Sequence, residues 1–405
     1  MAIHNIITQK MTFGGKSFGK IDGKNVFIPF ALPGETLRVE TVKSMRDWDE
    51  ARIVEILEPS PRRIAPPCPL YQKCGGCNFM HADYEFQLEM KKRVAEELFA
   101  RASVPIPPMK VISKNPLGYR NRMEFLSGGL QERSTNSVIA LEQCPVASAE
   151  INGWLASTPI ELRPKCRAMV FGSDIAEPNL TIAEIPSEKN SKKSDSKEKI
   201  LRGKKFRTPR KSQQPVSQNP VEVNLCGKKI AFDAKGFFQS NLGMLELAIP
   251  KIMQGLSGKH ALDLYSGCGT FSVFLAENFS RVTMVEHNKG AAAFAEQNTA
   301  GVPHSTFAVS GSEFAKHHAE SAAKQVGAFD LVFADPPRSG MEKEVCEWLC
   351  KSGVPKIAYL SCDAATQARD IAKLAESGYI VEEAWLLDFY PQTSHTETFL
   401  ICMKN

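Results

Sequence analysis

In the stretch YLSCDAATQARD, residues 359–370, a lone cysteine closes an apolar run and opens a helical one. KIAYLSC reads as a buried strand and AATQARDIAKLAES as a helix with Asp363 as its N-cap. Cys362 is thereby placed beside a helix N-terminus, where the macrodipole and unpaired amides favour thiolate over thiol. Free cysteine is common in cores, but a core thiol belongs in mid-strand, so its position makes Cys362 a candidate nucleophile. Carboxylates recur at comparable places. Glu286 ends the run RVTMVEHN, and Asp335 ends FDLVFADPPRSG, where two prolines stiffen the loop leaving the strand. Glu397 and His395 ride on the polar turn of AWLLDFYPQTSHTETFLICMK, where either is a candidate general base or a surface group. A second set of thiols lies in CPLYQKCGGCNFMH. Cys68, Cys74 and Cys77 are separated by five and then two residues, and Cys144 follows in LEQCPVA. Four thiolates can enclose one metal centre. Three plus one around a glycine-rich loop suits an iron-sulfur cluster, with zinc, which prefers paired short spacings, as the alternative.

The elements that must position these residues are legible in pattern. HALDLYSGCGTF is an apolar strand running into a glycine-rich turn and then a helix, so the backbone can approach a ligand at the carboxyl edge of a parallel sheet. Glu286, about 20 residues further on, is placed to bind two ribose hydroxyls. The turn is G-x-G without a third glycine and no pyrophosphate-binding run follows, which favours S-adenosylmethionine over NAD. From about residue 234 onward strands and helices alternate. Earlier, YEFQLEMKKRVAEELFARA has apolar residues at helical spacing and predicts a helix from about Asp83 to Arg101. In GYRNRMEF, Tyr119, Arg120 and Arg122 form either a nucleotide clamp or a solvated strand edge. Residues 1–58 alternate in short runs punctuated by GG, DG and PG, the pattern of a small antiparallel barrel of a type that commonly binds nucleic acid.

Composition bounds the class. The 405 residues suffice for two or three domains with sizeable cores. No apolar run approaches the ~18 residues of a membrane span, and MAIHNIITQK has no signal-peptide character; we expect a cytoplasmic protein. Eleven cysteines, an odd number, fit metal or catalytic use in a reducing compartment better than a disulfide framework. Lys189–Lys211 holds eleven Lys and Arg against two acids, a local +9 in a chain of net +5, so the remainder is acidic at −4. This run, within an insert at about 187–220, is expected to be disordered, either a linker or an arm for nucleic-acid phosphates.

Taken together, GGKSFGKIDGK, CPLYQKCGGC, EQC, GFFQSN, DLYSGCGTF, DPPRSG, SCD and HTET resemble, over nearly the whole chain outside the insert, the S-adenosylmethionine-dependent RNA 5-methyluridine (uracil-5) methyltransferases of tRNA and 23S rRNA. The resemblance implies an α/β chain of three domains. These are an OB-like TRAM barrel (1–58) that binds RNA, a central α+β domain (59–233) carrying a 4Fe-4S cluster, and a Rossmann-like methyltransferase domain (234–405). It implies Cys68, Cys74, Cys77 and Cys144 as cluster ligands, and Gln239, Tyr265, Glu286 and Asp335 around S-adenosylmethionine. Cys362 is implied as nucleophile and Glu397 as base, in a monomer acting on RNA and needing no membrane. Two departures stand out: SCD replaces the usual SCN, and the Asn or Asp that would meet the adenine is replaced within VSGSEF around Gly311. Rival readings are an RNA cytosine-5 methyltransferase, or a non-catalytic RNA-binding or ribosome-assembly protein on the same fold.

Overall fold

The computed structural model describes residues 3–185 and 219–405. The basic run Lys189–Lys211 lies outside the described residues. The first six strands, from Ile3–Ile7 to Trp48–Glu58, form one sheet over a small apolar core of Ile6, Val26, Ile28, Leu37, Val39 and Ala51. Strands Lys16–Ile21 and Lys24–Pro29 are joined by Asp22 and Gly23, both with positive φ (49° and 81°), a two-residue turn whose twist matches a hairpin. The sheet is not wholly antiparallel as expected. Lys24–Pro29 pairs in parallel with Trp48–Glu58, because Thr36–Ser44 lies on the far side of that last strand.

The expected helix is Tyr84–Arg101. Its N-cap Asp83 accepts from the amide of Phe86 (3.0 Å), and the same carboxylate takes both Nε and an Nη of Arg62 (2.6 and 2.7 Å). A three-stranded antiparallel sheet of Arg122–Leu126, Arg167–Gly172 and Leu180–Ile185 follows, with the Ala149–Ser157 helix against it.

An eight-stranded sheet organises the rest. Its order is His304–Phe307, Phe279–Val285, Gly258–Leu264, Leu331–Ala334, Lys356–Ser361, Glu397–Lys404, Tyr379–Leu387 and Lys110–Ile112. The first five are mutually parallel, and Glu397–Lys404 runs antiparallel to both neighbours. Alternate side chains enter two cores, Ala261 on one face and Leu262 and Leu264 on the other. From Gly258–Leu264 the chain winds outward to one side and then returns to build the other. The crevice between the loops after Leu264 and Ala334 is therefore a topological switch point, where open α/β sheets bind ligands. The eighth strand, Lys110–Ile112, comes from the region assigned to the central domain and pairs in parallel with Trp385–Leu387, so the two regions share a sheet.

Candidate active site

Cys362 stands where its pattern places it, between the Lys356–Ser361 strand and the Ala364–Ala375 helix. Asp363 caps that helix, its Oδ1 accepting from the amides of Ala365 and Thr366 (both 3.0 Å). Asp and Asn cap equally well, so SCD keeps the turn that SCN would make. The expected thiolate, however, is not favoured. Burial pushes the Cys362 thiol up to about 12, the charges of Glu397 and Asp335 add to it, and Arg338 only partly opposes them. Two of the amides that could stabilise a thiolate, those of Ala365 and Thr366, are already taken by Asp363.

The neighbouring strand tips bring the other candidates together. Gln239, Tyr265, Glu286, Asp335, Cys362 and Glu397 all line one cavity of about 1840 Å³. Tyr265 opens the glycine turn with φ +64°, a left-handed conformation uncommon for a non-glycine residue and frequent at functional sites. Glu286 Oε2 accepts from the amide of Gly267 (3.1 Å) and Oε1 from that of Asn288 (2.6 Å), fixing the carboxylate against the glycine turn. Buried Gln239 Oε1 and Ser266 Oγ line the same space without a hydrogen-bond partner among the described residues, an arrangement that calls for a ligand's polar groups. Burial and the neighbouring Asp263 raise Asp335 to about 7. Burial, then Asp335, holds Glu397 well above the usual carboxylate range against Arg338. The site thus gathers acids around Cys362, with Arg338 the cation acting on both Cys362 and Glu397, and is suited to a cationic ligand.

The loop 388–396, which carries His395 and leads into Glu397, is held almost entirely by groups distant in sequence. Lys91 and Asp388 form a fully buried ion pair (2.6 Å); Lys91 also donates to the Tyr390 carbonyl (2.9 Å) and Tyr84 to Asp388 (2.8 Å). Gln87 and Gln392 bond reciprocally (both 3.0 Å), as do Asn78 and Ser394 (2.9 and 2.8 Å). Tyr119 belongs to this clamp. It is buried, with its hydroxyl on the Pro391 carbonyl (2.9 Å), and so is not the stacking platform considered from sequence; Arg122 is likewise spent on the Gly236 carbonyl (2.7 Å). None of these pairings had a local signal.

A smaller hollow adjoins the cavity, and Cys362 lines both. Its walls are Phe13 and Gly14 in the turn between the strands Lys10–Met11 and Lys16–Ile21, Gly75, Gly76, Asn78 and Arg133 around the cysteine loop, and residues 393–396. A Cβ on Gly15 would lie 2.5 Å from Ser394 Cβ, so this turn touches the 388–396 loop with no room to spare. Of the four clustered cysteines, Cys144 is buried and Cys68 and Cys77 pack on the same apolar cluster. Burial pushes Cys77 up to about 12, and the charges of Cys144, Cys74 and Cys68 add to it, so the four lie within electrostatic reach of one another. Arg133 donates to the carbonyls of Cys74 and Cys77 (3.3 and 2.8 Å), and the Gly76 amide to Cys74 Sγ (3.4 Å). Among the described residues no three His, Cys, Asp or Glu side chains converge on a point where a single ion could sit.

A sequence profile described as tRNA (Uracil-5-)-methyltransferase matches residues 222–405. An uncharacterized RNA methyltransferase of Treponema denticola is 36% identical over 98% of each chain. The 23S rRNA (uracil(1939)-C(5))-methyltransferase RlmD of Chromohalobacter salexigens is 29% identical over 95% of this chain and 85% of its own. Among solved structures, the tRNA (uracil-54, C5)-methyltransferase of Pyrococcus abyssi, crystallised with S-adenosyl-L-homocysteine, shares the fold at a TM-score of 0.70 and 22% identity, covering 99% of this chain and 100% of that one. An open parallel sheet with an acid-lined crevice at its switch point, on a chain with these relatives, defines an S-adenosylmethionine-dependent methyltransferase. More narrowly, the chain belongs to the RNA uracil-5 methyltransferase family.

Proposed function

We propose that this enzyme methylates carbon 5 of a specific uridine in rRNA or tRNA through a transient covalent bond between Cys362 and carbon 6. Carbon 5 of uracil is too weak a nucleophile to take a methyl group unaided. Addition of the Cys362 sulfur to carbon 6 turns the ring into an enolate and makes carbon 5 nucleophilic. S-adenosylmethionine, when bound, supplies an electrophilic methyl group on a sulfonium. Glu397 then takes the proton from carbon 5, the sulfur–carbon 6 bond breaks, and the Cys362 thiolate is restored. Arg338, the cation facing Cys362 and Glu397, eases loss of the thiol proton to solvent before the attack. Gln239, Tyr265, Glu286 and Asp335 would hold the donor. The unpartnered Gln239 Oε1 and the raised Asp335 fit its ammonium and sulfonium charges, and Glu286 fits its ribose diol. The observation that carries this reading is that Cys362 and Glu397, from adjacent strands, line the same cavity as those four residues.

The test is a complex trapped on 5-fluorouridine RNA. The intact enzyme forms an adduct visible by mass spectrometry and Cys362→Ala forms none; no adduct with the intact enzyme, or an equal one with the variant, refutes the nucleophile. The family assignment sets aside the cytosine-5 and non-catalytic alternatives.

The same reading extends to the domains. The sheet over residues 3–58 would act as the TRAM barrel, guiding RNA over the hollow at Cys362, and residues 59–233 as the central domain with a 4Fe-4S cluster on Cys68, Cys74, Cys77 and Cys144. The three-plus-one spacing of these cysteines around a glycine-rich loop suits such a cluster better than the paired short spacings of zinc sites, and the four thiols lie within electrostatic reach of one another. The cluster would be a staple, since the reaction moves no electron to or from it. No helix among the described residues is long and apolar enough to cross a membrane; we propose a cytoplasmic monomer whose partner is RNA.

A further inference from the structure

The strand tips order the cavity from the reacting end outward: Cys362, then Asp335, then the turn at Tyr265, then Glu286, and last the segment Val309–Gly311 after His304–Phe307. With ribose chemistry at Glu286, the nucleobase of the donor falls toward that last segment. Little there can read a base. Gly311 has no side chain, and Ser310 Oγ is occupied as a cap, accepting from the Glu313 amide (3.1 Å). The backbone of Gly311 is not in the left-handed region, so glycine is not demanded by conformation. It is demanded by space: a Cβ there would lie 2.8 Å from Glu342 Oε2 and 2.9 Å from the Tyr265 hydroxyl.

Glu342 occupies the N-cap position of the Lys343–Ser352 helix, yet its side chain makes no capping bond. It turns instead to the cavity, where Oε2 accepts from Tyr265. No other hydrogen bond or ion pair of this carboxylate is present among the described residues, which leaves Oε1 open as an acceptor at the base end of the cavity.

We infer that Glu342 is the residue that selects adenine in the methyl donor, its carboxylate accepting from the exocyclic amino group in the space that Gly311 leaves empty. The inference rests on the S-adenosylmethionine reading of the cavity. A carboxylate accepts a hydrogen bond from an amino group but meets the carbonyl oxygen of hypoxanthine as two acceptors facing each other, so it rewards one base and penalises the other. Tyr265 holds the carboxylate in place, and a larger residue at 311 would displace it.

The experiment is calorimetric binding of S-adenosylhomocysteine and S-inosylhomocysteine to the full-length chain and to Glu342→Ala, Glu342→Gln and Gly311→Ala. The intact chain should prefer the adenine compound by about tenfold or more. Glu342→Ala should bring the two within about twofold, and Glu342→Gln, whose amide can donate, should narrow or reverse the preference. Gly311→Ala should weaken the adenine compound more than the other. Thermal melting checks that each variant is folded, and the Gln variant keeps the shape should Ala disturb it. Unchanged discrimination in both Glu342 variants overturns the inference while leaving the cofactor site standing; failure of the intact chain to bind either compound overturns the cofactor reading and this inference with it.

Discussion

At Cys362 the competition between a helix terminus and its surroundings is decided by burial, with the nearby carboxyls adding to it. Burial, Glu397 and Asp335 hold its thiol up to about 12, so alkylation of Cys362 by iodoacetamide, followed by peptide mass spectrometry, should be slow at pH 8 and rise steadily above it. Arg338→Ala should move that profile to still higher pH and Glu397→Gln to lower pH, since one removes the opposing cation and the other a repelling charge. The Gln variant cannot accept the carbon 5 proton, so on ordinary RNA it should accumulate the covalent complex that the intact enzyme resolves, seen as a shifted band on a denaturing gel. Asp263, wholly buried beneath the glycine turn, tests the electrostatic cost of the site. Burial, opposed by the Ser272 hydrogen bond and reinforced by Glu286, raises it from 3.8 to about 7. The folded state therefore holds a proton that the unfolded chain gives up, and stability falls as pH rises from about 4 to about 7. Asp263→Asn should gain melting temperature relative to the parent across that window and show a constant difference above it. The residues legible in sequence, Cys362, Asp335 and Glu286, are those where an apolar run ends in a polar turn, because a strand tip is a local event. Glu342 was not legible, since its role depends on Tyr265 and Gly311, which only folding brings beside it.

Among the elements, the 388–396 loop depends most on distant support. The Lys91–Asp388 pair is fully buried, and removing one partner leaves a charge without compensation, at a cost of about 3–5 kcal/mol. Lys91→Met should lose about that much in urea unfolding, and adding Asp388→Asn, which still accepts from Tyr84, should recover part of it. Turnover should fall in the single variant beyond what the folded fraction explains, because Glu397 is aimed by this loop. The helix Tyr84–Arg101 was readable from its period and its Asp83 cap, and the Asp22-Gly23 hairpin from its turn residues. The Lys110–Ile112 strand was not: three residues carry no alternation to detect, and its pairing with Trp385–Leu387 is set by tertiary contact. The parallel pair in the first sheet escaped for a similar reason, since adjacent runs suggest hairpins and say nothing of which strand a third one joins.

At the scale of the molecule, three regions meet at Cys362: the turn at Phe13–Gly15, the cysteine loop and the 388–396 loop. Removal of the proposed cluster's iron and sulfide by chelation under air should therefore lower the melting temperature and weaken RNA binding while leaving S-adenosylhomocysteine affinity unchanged, because the cysteine loop lines the outer hollow and the residues proposed to hold the methyl donor line the inner cavity. Gly15→Val should likewise reduce adduct formation on RNA without altering cofactor affinity, since it forces the turn off Ser394 and Asn78. The convergence of these regions was not legible in the sequence, as it joins residues some 300 positions apart, Asn78 and Ser394 among them.

The short strand that the middle of the chain lends to the large sheet has a practical outcome for anyone cutting the gene. Lys110–Ile112 covers the Trp385–Leu387 end of the outer rail of Tyr379–Leu387. A fragment starting near residue 234 would present that rail bare, an open row of amides and carbonyls ready to recruit a second copy. Such a truncation should be recovered from expression as self-associated material, and supplying residues 105–115 as a free peptide should return part of it to single particles in light scattering.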